Sequence, residues 1–348
     1  MSLKQTPLDP SKIVVDSKEY SKYIQTTLKL STKLTFDFPK LCVRLKPYSS
    51  SDANKLATEI KKRNVFARHS WENSFYVNRA TELSNKTVIE VYRRGQPDEI
   101  IDESQKVASI FENVSILSSI LVIKRGKYQK LMGIHQKLGT DFYLIIGKDF
   151  RFLRSKSEPV PIVSGISIDK RFMKRFRRCG FDDLITFCLA NYKLSRRLLS
   201  TINWLIESRE EPLLSAAIVK TSIALESLLV FNKSEPLSKS LSERSAFLLS
   251  PEASTRKKIS KLIKHFYTER SKVVHGSNAS VPLYIVESVD RLIVLLCLVI
   301  ATNRNNFHTK ENIQNWCEDI KWGHHQYDIY KPFSDLYLKN ALKLFVNK

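Results

Sequence analysis

The stretch TRKKISKLIKHFYTERSKVVHG, residues 255–276, combines a helical pattern with an abrupt end. Its apolar residues recur three or four positions apart, which is the spacing of one face of an α-helix. A glycine directly after such a pattern favours the left-handed conformation that ends many helices, so Gly276 marks the expected end. The stretch therefore predicts an amphipathic helix over residues 255–275. Its predicted apolar face consists of Ile259, Leu262, Ile263, Phe266, Val273 and Val274.

Two residues of this helix stand out chemically, Arg270 and His275. Arg270 interrupts the apolar face, because it follows Ile259 by eleven residues, close to three full turns. An arginine there either has a buried partner or points into a cleft, because an unpaired buried charge is costly. His275 is rotated from Arg270 by about 140° on an ideal helix, so the pair converges only if the last turn relaxes or two copies of the chain meet. Alternatively, both residues simply stabilise the negative end of the helix dipole.

Further apolar patterns at helical spacing surround this stretch and predict an all-α helical bundle over residues 166–348. The segment 213–231 is nearly all apolar and is expected to be central and buried. A tail with Trp316, Trp322 and a last helix over residues 334–346 is expected to follow the bundle. The five predicted helices of the bundle are 181–207, 213–231, 241–249, 255–275 and 281–302.

Residues 1–165 have a mixed pattern that predicts an α+β domain, with a polar lead-in over residues 1–33. Segment 155–164 contains two prolines and few long apolar residues, so we place the domain boundary at 165/166. The predicted strands are 34–38, 41–45 and 86–92, the predicted helices are 51–63 and 102–123, and 142–147 with 150–153 form a predicted hairpin.

The charge balance favours a polyanionic partner. Lys and Arg number 57 against 35 Asp and Glu, a net charge of +22. Such an excess of positive charge opposes compaction through self-repulsion, and binding to RNA or DNA relieves that repulsion. The alternatives are binding to an anionic membrane surface, or a proteome whose proteins are basic in general. Phe172 and Phe176 interleave with one basic run. We expect the basic side chains to bind an RNA backbone and the phenylalanines to pack on the bundle rather than stack on bases. A solvated charged face is the alternative for this run. The candidate RNA-binding residues are Lys170, Arg171, Lys174, Arg175, Arg177, Arg178, Lys257, Lys258 and Lys261.

Several functional classes are disfavoured. The five cysteines are widely spaced, which argues against a disulfide framework or a zinc cluster. There is no glycine-rich phosphate loop, and the adjacent His324 and His325 lack accompanying metal ligands, so no metal and no cofactor is expected. The start of the sequence is polar, and its longest apolar run, residues 292–301, is too short to cross a bilayer. We expect a soluble cytoplasmic protein that makes no membrane contact.

Three segments in a fixed order resemble a known superfamily. The arginine and histidine of RSKVVHG, residues 270–276, match an Arg-x(4–6)-His signature. Upstream, ALESLL over residues 224–229 and SERSAFLL over residues 242–249 resemble the helices that precede this signature. Together they resemble the HEPN superfamily, specifically the Apea-like HEPN domains of bacterial antiviral defence proteins. The resemblance covers residues 180–302. Ser271 departs from it, because many members carry Asn, Asp or His there.

The resemblance implies a metal-independent endoribonuclease that acts as a homodimer and leaves a 2′,3′-cyclic phosphate. His275 is then the general acid–base and Arg270 stabilises charge on the scissile phosphate, with Ser271 tuning the site. Glu226 is expected to orient the site by pairing with Arg270 or Arg244, unless it lies at a helix edge facing water. The implied role is an antiviral toxin. The resemblance does not extend to residues 1–165, which we expect to be a sensor or partner-binding domain that receives a phage or host trigger protein. The alternative is a non-catalytic RNA- or protein-binding module.

Overall fold

Contacts within the computed structural model divide the chain into two compact units. Unit 1 comprises Met1–Glu112 and Leu131–Arg171, and unit 2 comprises Asn113–Lys130 and Phe172–Lys348. The predicted boundary at 165/166 therefore differs in two ways: the main division lies six residues later, and residues 113–130 belong with the second unit. The structure describes residues 19–25, 29–30, 35–38, 41–63, 77–78, 80–84, 87–94, 97–127, 138–147, 152–161, 167–190, 192–232, 234–276, 280–324 and 326–346.

A six-stranded sheet forms the frame of unit 1, in the order β3-β4-β5-β1-β6-β7. All neighbours in this sheet run antiparallel, whereas the two short strands β2 and β8 pair in parallel. This sheet and the helices beside it confirm the α+β prediction for the first part of the chain. The strands are β1 (Glu19–Gln25), β2 (Lys29–Leu30), β3 (Phe36–Phe38), β4 (Val43–Pro47), β5 (Thr87–Arg94), β6 (Leu138–Gly147), β7 (Phe152–Pro161) and β8 (Ser167–Ile168).

Strand β7 corrects the prediction for residues 155–164. The segment through Pro161 is not a linker but the second strand of the β6–β7 hairpin, whose register runs from Leu138 opposite Pro161 to Ile146 opposite Phe152. β7 is the last strand of the sheet. Because proline cannot donate a backbone hydrogen bond, an edge strand is the place in a sheet where it is tolerated.

Helices α1 (Ser50–Arg63) and α2 (Pro97–Ile120) lie beside the sheet, and α2 continues from unit 1 into unit 2. The two oxygens of the buried Glu90 carboxylate accept hydrogen bonds from Tyr48 and Tyr92, each at 2.7 Å, and the Arg44 guanidinium lies 3.9 Å away as counter-charge. The core beside α1 contains Tyr48, Leu56, Ala57, Ile60, Ala80, Leu83 and Val88.

Unit 2 is helical, as predicted. Its central helix is α9, whose residues from Ile285 to Ala301 are all buried except Arg291, and which packs against α4, α6, α7, α8 and α11. The predicted central segment 213–231 forms α6, which is buried on fewer of its positions. The helices are α3 (Lys170–Arg178), α4 (Phe181–Leu189), α5 (Lys193–Glu210), α6 (Leu214–Leu229), α7 (Leu237–Leu249), α8 (Ala253–Val274), α9 (Leu283–Thr302), α10 (Lys310–Trp322) and α11 (Asp335–Val346).

The prediction of one helix over residues 181–207 is wrong, because the chain breaks between α4 and α5. Ala190 and Tyr192 both have extended backbone conformations. The carbonyl oxygen of Phe187 accepts a hydrogen bond from the backbone N–H of Ala190 at 3.1 Å and a second one from the Ser195 hydroxyl at 2.6 Å, which joins the two helices across the break. The tail also contains a helix that was not predicted, α10, which begins with a capping box at Thr309.

A buried polar network ties residues 113–127 to the helices of unit 2. The Asp290 carboxylate lies 3.2 Å from the Arg125 guanidinium and 3.7 Å from that of Arg209. Thr221 donates a hydrogen bond to the other Asp290 oxygen at 2.9 Å, and the backbone N–H of Arg125 donates to Glu287 at 2.7 Å. All four charged side chains are buried, so each arginine is compensated inside the core.

No helix within the described ranges is long and apolar enough to cross a membrane.

Candidate active site at the end of helix α8

Helix α8 ends at the predicted place. His275 is its final cap, with φ −90° and ψ 17°, and its backbone N–H donates to the Ser271 carbonyl oxygen at 3.0 Å. Gly276 follows with a φ of +79°, the left-handed conformation expected of it, and donates to the Val273 carbonyl oxygen at 3.2 Å. The predicted apolar face is buried from Ile259 to Phe266, whereas Val273 is only half-buried and Val274 is exposed. The last turn therefore leaves the core, and the His275 side chain is exposed.

Arg270 and His275 line the same open cleft, which has a volume of about 560 Å³. A single chain thus brings both residues to one cavity. The cleft is contributed by α8 and the start of α7, and no carboxylate is among its lining side chains. The other lining residues are Leu237, Ser238, Lys264, Tyr267, Thr268, Ser271 and Lys272.

The Arg270 guanidinium is half-buried and weakly held. Its Nε donates to the Ser222 hydroxyl at 3.4 Å, at the long end of hydrogen bonding. In the part of the chain that the structure describes, no carboxylate lies within ion-pairing distance of it. Arg270 therefore retains donors and an uncompensated charge for an anion in the cleft.

Glu226 has a different partner from the predicted one. Its carboxylate accepts a hydrogen bond from the Tyr267 hydroxyl at 3.0 Å rather than from Arg270 or Arg244. Burial and the neighbouring Glu226 charge hold the pKa of Tyr267 well above its usual range, while the nearby Arg270 charge acts in the opposite direction. Tyr267 consequently stays protonated and donates to Glu226, and it lines the cleft, whereas Glu226 does not.

Arg244 does not line the cleft and has a structural position. Its guanidinium makes two hydrogen bonds to the Glu235 carboxylate, at 2.6 and 2.8 Å, and a third to the Leu229 carbonyl oxygen at 2.6 Å. It also lies 4.3 Å from the ring centroid of Phe231. Burial raises the pKa of Glu235, but hydrogen bonds from Arg244 and from the Phe231 N–H outweigh it and lower that pKa below its ordinary value. Arg244 thus stabilises the C-terminal end of α6, and its predicted supporting role at the site is corrected.

The cleft is electropositive. Lys264 and Arg270 have no carboxylate partner among the described residues, whereas Lys272 forms an ion pair with Glu269 at 2.7 Å. Ser271 is exposed in the lining, where a small hydroxyl leaves space for a ligand. Lys264 and Tyr267 were not singled out in the sequence. For Tyr267 the spacing was a usable signal, since it lies three residues before Arg270 and therefore neighbours it on the helix. Lys264 lies six residues before Arg270 and is rotated from it by about 120°, so its spacing gave no such signal.

The predicted basic run, residues 170–178, forms α3. Most of its basic side chains face solvent, and its two phenylalanines face the core. Phe172 and Phe176 are buried and stack at 5.8 Å, so they pack on the bundle and are not available to bases. Arg175 is half-buried, with its guanidinium 5.2 Å from the Phe172 ring centroid. The remaining basic side chains of the run, Lys170, Arg171, Lys174, Arg177 and Arg178, are exposed, as are Lys257, Lys258 and Lys261 on α8.

Over the described ranges, no three His, Cys, Asp or Glu side chains come together as a potential metal site. His324 is exposed at the end of α10, and His325 lies outside the described residues. Comparisons with protein-family models, with curated proteins and with solved structures gave no match to this chain.

Proposed function

We propose that the cleft at the end of α8 is the active site of a HEPN-type, metal-independent endoribonuclease. The observation that carries the proposal is that Arg270, without a carboxylate partner in the described chain, and an exposed His275 line one cleft whose lining contains no acid. An open electropositive pocket that contains an imidazole fits a substrate phosphodiester.

The reaction needs one nucleophile from the substrate itself. The ribose 2′-oxygen attacks the adjacent phosphorus, and its proton passes to the His275 imidazole. The bond from phosphorus to the 5′-oxygen breaks, and that oxygen takes up a proton from an imidazole or from water. The products are a 2′,3′-cyclic phosphate and a free 5′-hydroxyl. Arg270 stabilises the negative charge on the non-bridging oxygens during transfer.

The broader biological role rests on the sequence resemblance. We propose that the protein acts as a homodimer in antiviral defence and that unit 1 receives the trigger, a phage or host protein. Dimerisation would add a second Arg270 and a second His275. One imidazole would then accept the proton of the 2′-hydroxyl, and the other would donate a proton to the leaving 5′-oxygen.

The decisive experiment is RNA cleavage by the full chain in EDTA, with products identified by end chemistry. We expect Arg270→Ala and His275→Ala each to reduce the cleavage rate by on the order of a hundredfold or more. Matched controls are Arg304→Ala and His324→Ala, two exposed residues outside the cleft, which should cleave like the wild type. A substrate with deoxyribose at the cleaved position should not be cut.

The rival function makes a different prediction in the same assay. A non-catalytic RNA-binding module would bind RNA with wild-type affinity in all four variants and would produce no cyclic phosphate. That result would overturn the proposed activity.

A further inference from the structure

One face of α8 carries a continuous exposed stripe that begins far from the cleft and ends in it. Its six residues follow one another at intervals of four, three, four, three and four positions, so at 100° per residue all lie within about 40° of one line along the helix. This face is opposite the buried one, and every member is exposed. The stripe consists of Lys257, Lys261, Lys264, Thr268, Ser271 and His275.

The stripe is uncompensated in charge. Among the described residues, no carboxylate pairs with Lys257, Lys261 or Lys264. Glu243 lines the adjoining cleft together with these lysines, and its carboxylate is paired with Lys321 at 3.2 Å. An amphipathic helix needs only polar residues on its outer face, so three unpaired lysines in register are more than solubility requires.

A second cleft of about 460 Å³ adjoins this stripe, between α7 and α8. Its lining includes Lys257, Lys261 and Lys264, and Lys264 also lines the cleft of Arg270 and His275. The two cavities therefore meet at one side chain. The second cleft has an aromatic member, the half-buried Phe247, with the Arg256 guanidinium 4.6 Å from its ring centroid.

We propose that this stripe and the second cleft form the binding track for a single-stranded segment of the RNA substrate. Phosphates lie along the three lysines, one unpaired base packs against Phe247 and Arg256, and the strand leads to Arg270 and His275. A planar base beside an aromatic ring and a guanidinium is how proteins hold unstacked nucleotides, whereas the bases of a duplex are not free to enter such a pocket. The track deepens the proposed ribonuclease function and rests on it for the position of the cut.

The track has a definite length. From Lys257 to His275 the helix rises by about 27 Å, and bases stacked at about 3.4 Å would place at most about eight nucleotides over that distance. Lys258 is rotated from Lys257 by about 100° and lies off the track. The track thus separates Lys258 from Lys257 and Lys261, three residues that sequence analysis had grouped together.

The test is binding of fluorescent single-stranded oligonucleotides to the full-length protein, measured by anisotropy. Oligodeoxynucleotides serve as the probe because they carry the phosphates and bases but lack the attacking 2′-hydroxyl. Affinity should rise with length and level off by about eight nucleotides. The triple variant Lys257→Ala/Lys261→Ala/Lys264→Ala should bind on the order of thirtyfold more weakly, with a salt dependence reduced by about two in logarithmic slope.

The matched control removes the same number of charges from exposed positions off the track, Lys193→Ala/Lys258→Ala/Lys339→Ala. It should lose less than about threefold in affinity, because only long-range attraction is reduced. Equal losses in the two triple variants, or no loss in the first, would overturn the track. Binding of duplex in preference to single strands would also overturn it.

Phe247→Leu tests the base pocket separately, since leucine keeps the pocket apolar but removes the stacking surface. For an intact oligonucleotide we expect Phe247→Leu to lose about tenfold in affinity relative to the wild type. For an oligonucleotide that lacks the base contacting Phe247, we expect the variant and the wild type to bind equally. The same loss with and without that base would refute the pocket.

The two proposals fail in different ways. If Arg270→Ala and His275→Ala cleave RNA like the wild type while the lysine triple variant loses binding, the track stands and the assigned active site is wrong. If those single variants lose cleavage while the lysine triple variant binds and cleaves normally, the active site stands and the track is wrong.

Discussion

Arginines occupy two contrasting environments in unit 2. Arg125 and Arg209 share the buried Asp290 carboxylate, and the side chains of all three are at most 2% exposed. Arg270 also interrupts an apolar helix face, yet its one hydrogen bond among the described residues is a long contact to the Ser222 hydroxyl. A carboxylate therefore compensates the two arginines in the core, whereas the arginine that faces the cleft has no carboxylate partner among the described residues. A carboxylate partner, more than burial alone, thus distinguishes a structural arginine from one that is available to a ligand.

The largest expected effect comes from removing the shared carboxylate. Asp290→Ala leaves Arg125 and Arg209 buried without their counter-charge, so we expect the free energy of unfolding to fall by about 3–5 kcal/mol. Urea denaturation followed by circular dichroism measures it. Asp335→Ala is the control, because that carboxylate is 67% exposed and its ion pair with Lys331 should contribute less than about 1 kcal/mol. A loss of similar size in both variants would remove the distinction between the two arginine environments.

A smaller loss is expected for Arg244→Met. The pair of Arg244 and Glu235 is about nine-tenths buried, and removing the guanidinium should cost about 2 kcal/mol near neutral pH. The folded pKa of Glu235 is lowered, so the contribution of this pair is present above the ordinary value of 4.5 and is lost as the pH falls through the lowered pKa. The stability difference between variant and wild type should therefore shrink below about pH 4. A difference that stays constant down to pH 2 would contradict the ion pair.

Tyr267→Phe removes a single neutral donor beside the cleft. The loss of its hydrogen bond to Glu226 should reduce the free energy of unfolding by about 1 kcal/mol. Tyr330→Phe, at a residue that is 66% exposed, should be neutral in the same denaturation experiment. An unchanged stability for Tyr267→Phe would mean that Glu226 is satisfied by solvent.

The smallest effect on stability is expected for Arg270→Met. Without a carboxylate partner to strand, this change should alter the free energy of unfolding by about 0.5 kcal/mol or less, while RNA cleavage is lost. A destabilisation comparable to that of Asp290→Ala would show that Arg270 belongs to the core, and the comparison would fail.

The end of α8 was predictable because the signals are local. The helical repeat of apolar residues predicts helix α8, and Gly276 predicts where it ends. Both signals lie within a few turns of the exposed end of the helix. The break between α4 and α5 was not predictable in this way, because the sequence Leu189-Ala190-Asn191-Tyr192 contains neither glycine nor proline. Its stabilising contact, from Ser195 to the Phe187 carbonyl, becomes visible only in three dimensions.

Ionic partners were harder still to predict. Asp290 and Arg125 are 165 residues apart, and nothing in either local pattern connects them. Glu226 was expected to pair with Arg270 or Arg244, but Tyr267 is its hydrogen-bond donor and Arg244 pairs with Glu235 in the turn before α7. Charged residues select partners by tertiary proximity, whereas periodicity describes one element at a time.

Residues 113–127 have a consequence for how this protein can be divided. They are covalently part of the first half of the chain, yet Arg125 neutralises Asp290 in the helical unit. A gene fragment that begins at residue 166 would encode α3 to α11 but omit Arg125, one of the two arginines that share this carboxylate. The helical unit is made of two separate chain segments, so a single recombination event between residues 130 and 172 would not transfer it complete. Any exchange that retains a working bundle must carry both chain segments, which ties the inheritance of the two halves together.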